Sequence, residues 1–103
     1  MKLKGHLPTL LLKVLSHGPN HGYRIAQDVK ARSKGVLEFK EGTLYPALHL
    51  LESRGLIESD EQVEEGRTRR YYWLTERGLK ALDEEKEEWK RVSSAISLIL
   101  EEG

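Results

Sequence analysis

The residues best suited to metal binding or acid–base catalysis are the four histidines, His6, His17, His21 and His49. His17 and His21 have the four-residue spacing of a metal-binding pair on one helix. Gly18 and Pro19 lie between them and prevent a shared helix. The chain also lacks cysteine, so no thiolate is available as a ligand. We therefore expect neither a metal site nor another cofactor.

Catalytic motifs are equally scarce. The sequence has no Gly-rich phosphate loop, no nucleophile elbow and no evident pair of acid and base. Its densest acidic run, "DEEKEE" at residues 83–88, is typical of a solvated helix face. These observations argue against an enzyme.

The segment "EGTLYPALHLLESRGLIES", residues 41–59, offers a surface for binding instead. Its apolar residues recur at helical spacing, and a proline lies inside the pattern. We expect Thr43 to be the N-cap residue. Pro46 then falls at the third helical position, where a backbone N–H has no partner within the helix. The proline would fix the first turn at little cost.

This predicted helix has two faces. The inward face carries the leucines at i, i+4 and i+7, namely Leu44, Leu48 and Leu51. The outward face carries Tyr45, Pro46 and His49. A rigid helix start that presents a hydroxyl, an aromatic ring and an imidazole is typical of a contact surface. The alternative is that Tyr45 only covers a neighbouring helix.

Two earlier helices must support this segment. Pro8 suits the first position of the first helix. The apolar residues of that helix follow helical spacing: Leu7, Leu10, Leu11, Val14 and Leu15. Asn20 or His21 can cap the second helix, and Gly35 lies beyond its end.

A hairpin follows the third helix. Residues 57–63 and 68–74 are two extended segments around "EEGR", in which Gly66 is free to adopt a positive φ. Three arginines lie near the tip, where a core could not use them: Arg67, Arg69 and Arg70. Three helices followed by a two-stranded ribbon predict a mainly α fold with a small β-hairpin, the winged helix-turn-helix.

Charge is unevenly distributed although the total is zero, with 17 basic and 17 acidic residues. Residues 1–40 carry eight Lys/Arg and two Asp/Glu, a net of +6. Residues 41–74 carry four and seven, and residues 75–103 carry five and eight, a net of −3 each. The basic third suits a phosphate-bearing partner. No apolar run approaches the roughly 20 residues of a membrane span, and we expect a cytoplasmic, single-domain protein.

The last segment predicts a helix capped by Thr75. Its large apolar residues recur at about heptad spacing, interrupted by Glu85: Leu82, Trp89, Val92, Ile96 and Ile99. The helix could fold back on its own chain as core. Because the preceding unit looks self-sufficient, pairing of this apolar seam with a second copy is favoured. We therefore expect a winged-helix domain at residues 1–74 and a C-terminal dimerisation helix at residues 75–103.

Three segments, "HGPNHGYRIAQDV", "EGTLYPALHLLESRGLIES" and "RRYYWLTERGLKAL", together resemble the PadR family of transcriptional regulators. The resemblance extends over residues 7–100, and the single tail helix resembles the shorter-tailed branch of that family. It implies a homodimeric winged-helix repressor that binds a palindromic double-stranded operator. The DNA-binding residues implied by matching position are Tyr23, Thr43, Tyr45, Pro46, His49, Arg67, Arg69 and Arg70.

The resemblance also concerns Trp89, in "EEWKRV". Some short-tailed members stack planar aromatic effectors on a tryptophan at this point of the dimer interface, so Trp89 is a candidate effector-binding residue. The alternative is plain interface packing. The acidic stretch "ESDEQVEEG" departs from a surface expected to approach DNA. Either its carboxylates point away from the duplex or the wing contributes little.

Two classes of function remain from the sequence. The first is a sequence-specific DNA-binding regulator, a homodimeric repressor relieved by a small aromatic effector. The second is a winged-helix module that binds only protein, in which the basic N-terminal third is incidental.

Overall fold

The computed structural model describes residues 6–101, which form four helices and three short strands. In chain order these are α1 (Leu7–Leu15), β1 (Asn20–His21), α2 (Gly22–Arg32), α3 (Glu41–Ser53), β2 (Ile57–Glu64), β3 (Arg67–Leu74) and α4 (Glu76–Glu101). The strands form one antiparallel sheet in the order β1-β3-β2. The predicted winged helix-turn-helix followed by a long C-terminal helix is confirmed.

One hydrophobic core joins the inner faces of α1, α2 and α3 to the sheet. Leu11, Ile25, Leu48 and Ile57 have no exposed surface, and Tyr72 is almost completely buried. Burying a side chain of this size stabilises a fold by about 1.5–3 kcal/mol before conformational entropy is counted. The helical spacing that predicted the inner faces of the first and third helices is therefore confirmed.

Helix α3 begins earlier than the sequence predicted. Its N-cap residue is Lys40, whose carbonyl accepts from the N–H groups of Thr43 and Leu44, both at 2.9 Å. Thr43 is therefore inside the first turn, and the prediction that it caps the helix is wrong. Glu41 at the first helical position suits the positive end of the helix dipole, so the helix starts there without a side-chain cap.

This shift changes the role of Pro46. It lies inside α3, where its missing N–H would have donated to the carbonyl of Gly42. The prediction that this N–H would lack an intrahelical partner is therefore wrong. Gly42 is exposed, so water can reach its carbonyl and replace the missing hydrogen bond. A proline at this place still fixes the backbone φ in the early part of the helix.

The hairpin has the predicted strands, each extended by one residue. Glu65 and Gly66 form the two-residue turn, and both have positive φ, 49° and 78°. This is the geometry of a type I′ turn, whose twist matches that of the flanking strands. The third strand, β1, was not predicted because a two-residue segment carries no periodicity; Asn20 and His21 pair with Tyr72 and Tyr71.

Helix α4 is anchored to the body at its start. The Thr75 hydroxyl donates to the Gly55 carbonyl at 2.7 Å and accepts from the Gly78 N–H at 3.1 Å, which confirms the predicted cap. Gly78 is buried against the Leu56 carbonyl, where a Cβ atom would have no room. Within residues 6–101, no helix combines the length and the apolar composition needed to cross a bilayer.

Leu82 belongs to this anchored part. It is 3% exposed and lies in the core of its own chain. The prediction that Leu82 contributes to a dimer interface is therefore wrong, because its side chain is already covered by the chain that carries it. After Leu82 the helix still meets α1, where the Thr9 hydroxyl donates to Glu85 at 3.4 Å, and the longest dimension of the molecule is 59 Å.

Candidate nucleic-acid interface

Three elements bring the candidate binding residues together. They are the N-terminal end of α2, the first turns of α3 and the strand β3. Tyr45 of α3 packs against Gly22 of α2, and Arg69 of β3 contacts His21, which caps α2. Tyr23 of α2 lines one hollow with residues 67–69 of β3. The body therefore holds these three elements in fixed relation.

Tyr45 is only half exposed. Its ring packs against the core, and a Cβ built on Gly22 would lie 2.6 Å from its hydroxyl oxygen. The absence of a side chain at Gly22 leaves the room that Tyr45 occupies. The expectation that Tyr45 points outward is therefore wrong in part, since the residue also covers the neighbouring helix. Sequence reasoning missed Gly22, although it stands beside Tyr23 in the "HGY" motif.

The other candidates on the helices are more open. Pro46 and His49 are exposed, as predicted, and Thr43 is half exposed. Tyr23 has 61% of its surface exposed at the second position of α2. Hydroxyl and imidazole groups both donate and accept hydrogen bonds, which is the chemistry that base edges and phosphates require.

The three wing arginines lie on two different faces. Pairing within the hairpin places Arg70 on the face that carries the buried Tyr72, whereas Arg67 and Arg69 are on the opposite face. Arg70 donates to the Ser59 hydroxyl at 2.9 Å and forms an ion pair with Glu61 at 3.3 Å. Of the three, Arg70 is therefore the one held by a carboxylate of the wing itself.

Carboxylates and arginines alternate across the hairpin. Glu64 pairs in register with Arg67 and accepts a hydrogen bond from the Tyr71 hydroxyl at 2.6 Å. This hydrogen bond is the largest of several effects that raise the pKa of Tyr71. Residues 57–74 contain five acidic and three basic residues, a net of −2. The acidic groups therefore lie among the arginines rather than all on a separate face.

Sequence reasoning offered His21 only as one of two possible caps of α2, which the structure confirms, and did not name Arg24, so it placed neither residue beside this surface. His21 accepts from the backbone N–H of Arg24 at 3.4 Å and is half-buried next to Arg69. The Arg24 side chain is exposed on the first turn of α2. A cap residue and an exposed arginine have no distinctive spacing, so only the fold could place them beside the wing.

Neither His17 nor His21, the two histidines with metal-binding spacing, is placed to bind a metal ion. His17 Nε2 lies 3.0 Å from a guanidinium nitrogen of Arg32, and His21 lies beside Arg69. A guanidinium is a fixed cation and disfavours a metal ion next to it. The residues that the structure describes contain no group of three or more metal-ligand side chains.

Comparison of the amino-acid sequence with known proteins identifies the family of this chain. The model of the transcriptional regulator PadR-like family matches residues 11–84. A transcriptional regulator of Mycobacterium tuberculosis is 38% identical over 78 residues, which cover 73% of this chain and 70% of that protein. A protein of Lysinibacillus sphaericus is 33% identical, over 96% of this chain and 92% of its own.

Solved structures with a closely similar fold are also regulators of transcription. A transcriptional regulator from Clostridium thermocellum matches with a TM-score of 0.86 and 32% identity, over 92% of this chain and 90% of that one. A PadR family regulator from Eggerthella lenta matches with a TM-score of 0.85 and 29% identity, over 99% and 88%. Family members are regulators of transcription, not enzymes, and membership implies regulation through DNA binding. The chain described here belongs to the PadR-like family of transcriptional regulators.

Proposed function

We propose that this protein is a sequence-specific, homodimeric repressor of transcription. The observation that supports this best is the meeting of α2, α3 and β3 at one surface, through the Tyr45–Gly22 and Arg69–His21 contacts. In winged helix-turn-helix proteins the third helix enters the major groove and the hairpin reaches the sugar–phosphate backbone. The arrangement found here supports the same placement.

The proposed contacts divide by chemistry. We assign base-edge contacts to the first turns of α3: Thr43, Tyr45, Pro46 and His49. We assign phosphate contacts to α2 and the wing: Tyr23, Arg67, Arg69 and Arg70. Arg67 and Arg69 carry most of the wing contribution, because Arg70 must first leave Glu61. The acidic groups of the hairpin reduce that contribution, so specificity and most affinity come from the helices.

Dimerisation is proposed to use the α4 seam, defined here as Trp89, Val92, Ile96 and Ile99. These side chains are 36–71% exposed in the single chain although all four are large and apolar. Full burial of such a side chain from complete exposure contributes about 1.5–3 kcal/mol before entropy, so covering the part still exposed contributes a fraction of that for each. A twofold dimer would present two α3 helices to half-sites about 34 Å apart, one turn of DNA, or a multiple of that distance.

An aromatic effector is proposed at Trp89. Its ring is 42% exposed, and one edge contact is already made by the His6 imidazole, with centroids 4.9 Å apart and planes at 68°. A flat ligand between the two Trp89 rings of a dimer would alter the spacing of the DNA-reading helices and relieve repression. Plain packing of Trp89 in the interface is the competing explanation.

A gel shift on the promoter of the protein's own operon tests the proposal. We expect binding in the nanomolar range at moderate salt, about 10³-fold or more tighter than binding to unrelated DNA of equal length. Equal, weak binding to both DNAs would contradict sequence specificity, and no binding to either would favour the winged-helix module that binds only protein. We also propose a cytoplasmic location, since a repressor must share a compartment with its operator.

A further inference from the structure

His21 is placed to act on two neighbours at once. It is the last residue of β1 and the N-cap residue of α2, with an extended backbone at φ −98° and ψ 160°. Its Nδ1 atom accepts from the Arg24 backbone N–H at 3.4 Å. This contact satisfies one of the N–H groups that a helix start leaves without a partner.

Arg69 lies over the face of the same ring. Its Nη1 atom is 3.0 Å from His21 Nε2 and 3.5 Å from Nδ1. The lone pairs of the two ring nitrogens point apart in the ring plane, on either side of Cε1. An atom in that plane could not approach both nitrogens so closely without colliding with Cε1. The Nη1 end of the guanidinium therefore lies over the face of the imidazole, and arginine makes favourable contacts of this kind with aromatic rings.

The imidazole itself is held in place by a third contact. The Tyr71 ring meets it edge-on, with centroids 5.5 Å apart and planes at 86°. Tyr71 is in turn fixed by its hydrogen bond to Glu64 at 2.6 Å. Glu64, Tyr71, His21 and Arg69 thus form one connected set from the end of β2 to the start of α2.

Burial and the two neighbouring arginines favour the neutral form of the imidazole. Burial lowers the pKa of His21 most, and the positive charges of Arg69 on β3 and Arg24 on α2 lower it further, against an opposing effect of Glu64. Neutrality matters for this contact, because an imidazolium next to a guanidinium would place two like charges together. Above the lowered pKa, the ring face remains available to Arg69.

We propose that His21 is a positioning residue of the DNA-binding surface, whose ring face holds the Arg69 guanidinium in place for a backbone phosphate. The inference rests on the proposed function. A long arginine side chain loses rotamer freedom when it binds, and one already held against a ring loses less. Removing the ring face should therefore weaken DNA binding roughly 3- to 10-fold, although His21 need not touch the DNA.

Two substitutions separate the ring face from the helix cap. His21→Asn keeps a strong N-cap residue and removes the face. His21→Phe keeps an aromatic face and removes the cap. We expect His21→Asn to retain the thermal midpoint and lose affinity, and His21→Phe to recover most of that affinity with a lower midpoint. An affinity that follows the thermal midpoint in both variants would overturn the proposal, because His21 would then act only as a cap.

A double-mutant cycle tests whether the effect passes through Arg69. In an Arg69→Gln background, His21→Asn should cause no further loss of affinity. A full additional loss would mean that His21 acts on DNA by another route, and the proposal would fail.

A third experiment, an NMR titration, requires no DNA. The His21 imidazole should titrate by NMR below its ordinary pKa of 6.5, and Arg69→Gln should move that pKa upward. An unchanged titration would show that the two groups are not in contact. If the wild-type protein binds no DNA but this titration responds, the function proposed above is wrong while the contact between His21 and Arg69 stands. If it binds DNA and the titration does not respond, the positioning role alone is wrong.

Discussion

The two ends of α4 differ in how much apolar surface a single chain covers. At the start, Gly78 and Leu82 are buried in the body of their own chain. One heptad later Trp89 is 42% exposed, and Ile96 after it is 40% exposed. The same seven-residue spacing therefore serves two purposes along one helix. The body is complete in one chain, whereas the distal part of α4 carries an apolar face that its own chain does not cover.

Gly78→Ala is the substitution expected to destabilise the buried end of α4 most. A Cβ atom there would collide with the Leu56 backbone carbonyl, which cannot move aside as a flexible side chain can. We expect a loss of more than about 4 kcal/mol in the free energy of unfolding, measured by urea denaturation. Gly42→Ala is the control, because nothing lies within 4 Å of a Cβ there. Similar, small effects of both changes would refute the close packing of α4.

The exposed end is tested by Ile96→Glu, with Leu98→Glu as a matched control. Ile96 lies on the α4 seam, whereas Leu98, two residues on and 73% exposed, projects from the other side of the helix. A carboxylate buried without a partner at the seam should cost the dimer about 3–5 kcal/mol. Gel shifts should show that Ile96→Glu loses operator binding and Leu98→Glu keeps it. Equal behaviour of the two variants would mean that the seam is not the interface.

Within the body, Tyr45 and His49 should separate stability from DNA binding. His49→Ala should weaken operator binding by about 1–3 kcal/mol with an unchanged thermal midpoint, because the side chain is exposed. Tyr45→Ala should lower both the affinity and the thermal midpoint, since its ring packs on the core beside Gly22. A variant of Tyr45 with a wild-type midpoint would contradict the packing described here.

The wing should contribute less than the helices, and its arginines should not be equivalent. Replacing Arg67 and Arg69 by Gln should weaken binding to all sequences alike. The slope of log K against log salt should flatten by about 0.9 for each phosphate that the variant no longer neutralises. Arg70→Gln should have a smaller effect, because Arg70 is paired with Glu61 in the free protein. A salt slope unchanged by the double substitution would remove the wing from the interface.

The smallest expected change concerns the effector. Planar cationic or phenolic aromatics should quench tryptophan fluorescence in the wild-type protein, and Trp89→Ala should abolish that response. Trp73, on the wing strand β3, is the internal control, since it is remote in sequence and belongs to the body. If both proteins respond alike, Trp89 only packs in the interface and the ligand binds elsewhere.

Much of the fold was predictable because helical periodicity and turn residues act locally. The leucine spacing of α1 and α3, the Thr75 cap and the Gly66 turn each depend on a few neighbouring residues. Leu82 could not be assigned correctly, because a heptad position does not state which chain covers it. The start of α3 was misjudged because a threonine near a helix start resembles a cap, whereas the backbone carbonyl of Lys40 takes that role.

The candidate site was predictable to a similar degree. Tyr23, implied by the family resemblance, and His49, expected on the outward face of α3, are both exposed on this surface, and their contacts with DNA remain predictions. Gly22 and Arg24 were not named, and His21 was named only as a possible cap, because their places beside the wing depend on contacts between segments distant in sequence, as in the 48-residue separation of His21 and Arg69. Such contacts follow from the sheet register, which a two-residue strand does not reveal in advance.

Analytical ultracentrifugation of the wild-type protein tests most directly the contrast between a complete body and an uncovered α4 seam. At micromolar concentration we expect sedimentation as a dimer of the 11.8 kDa chain, because the seam remains exposed in a single copy. The Leu98→Glu protein should sediment as the same dimer, and the Ile96→Glu protein as a folded monomer. A wild-type protein that sediments as a monomer at this concentration would contradict the account.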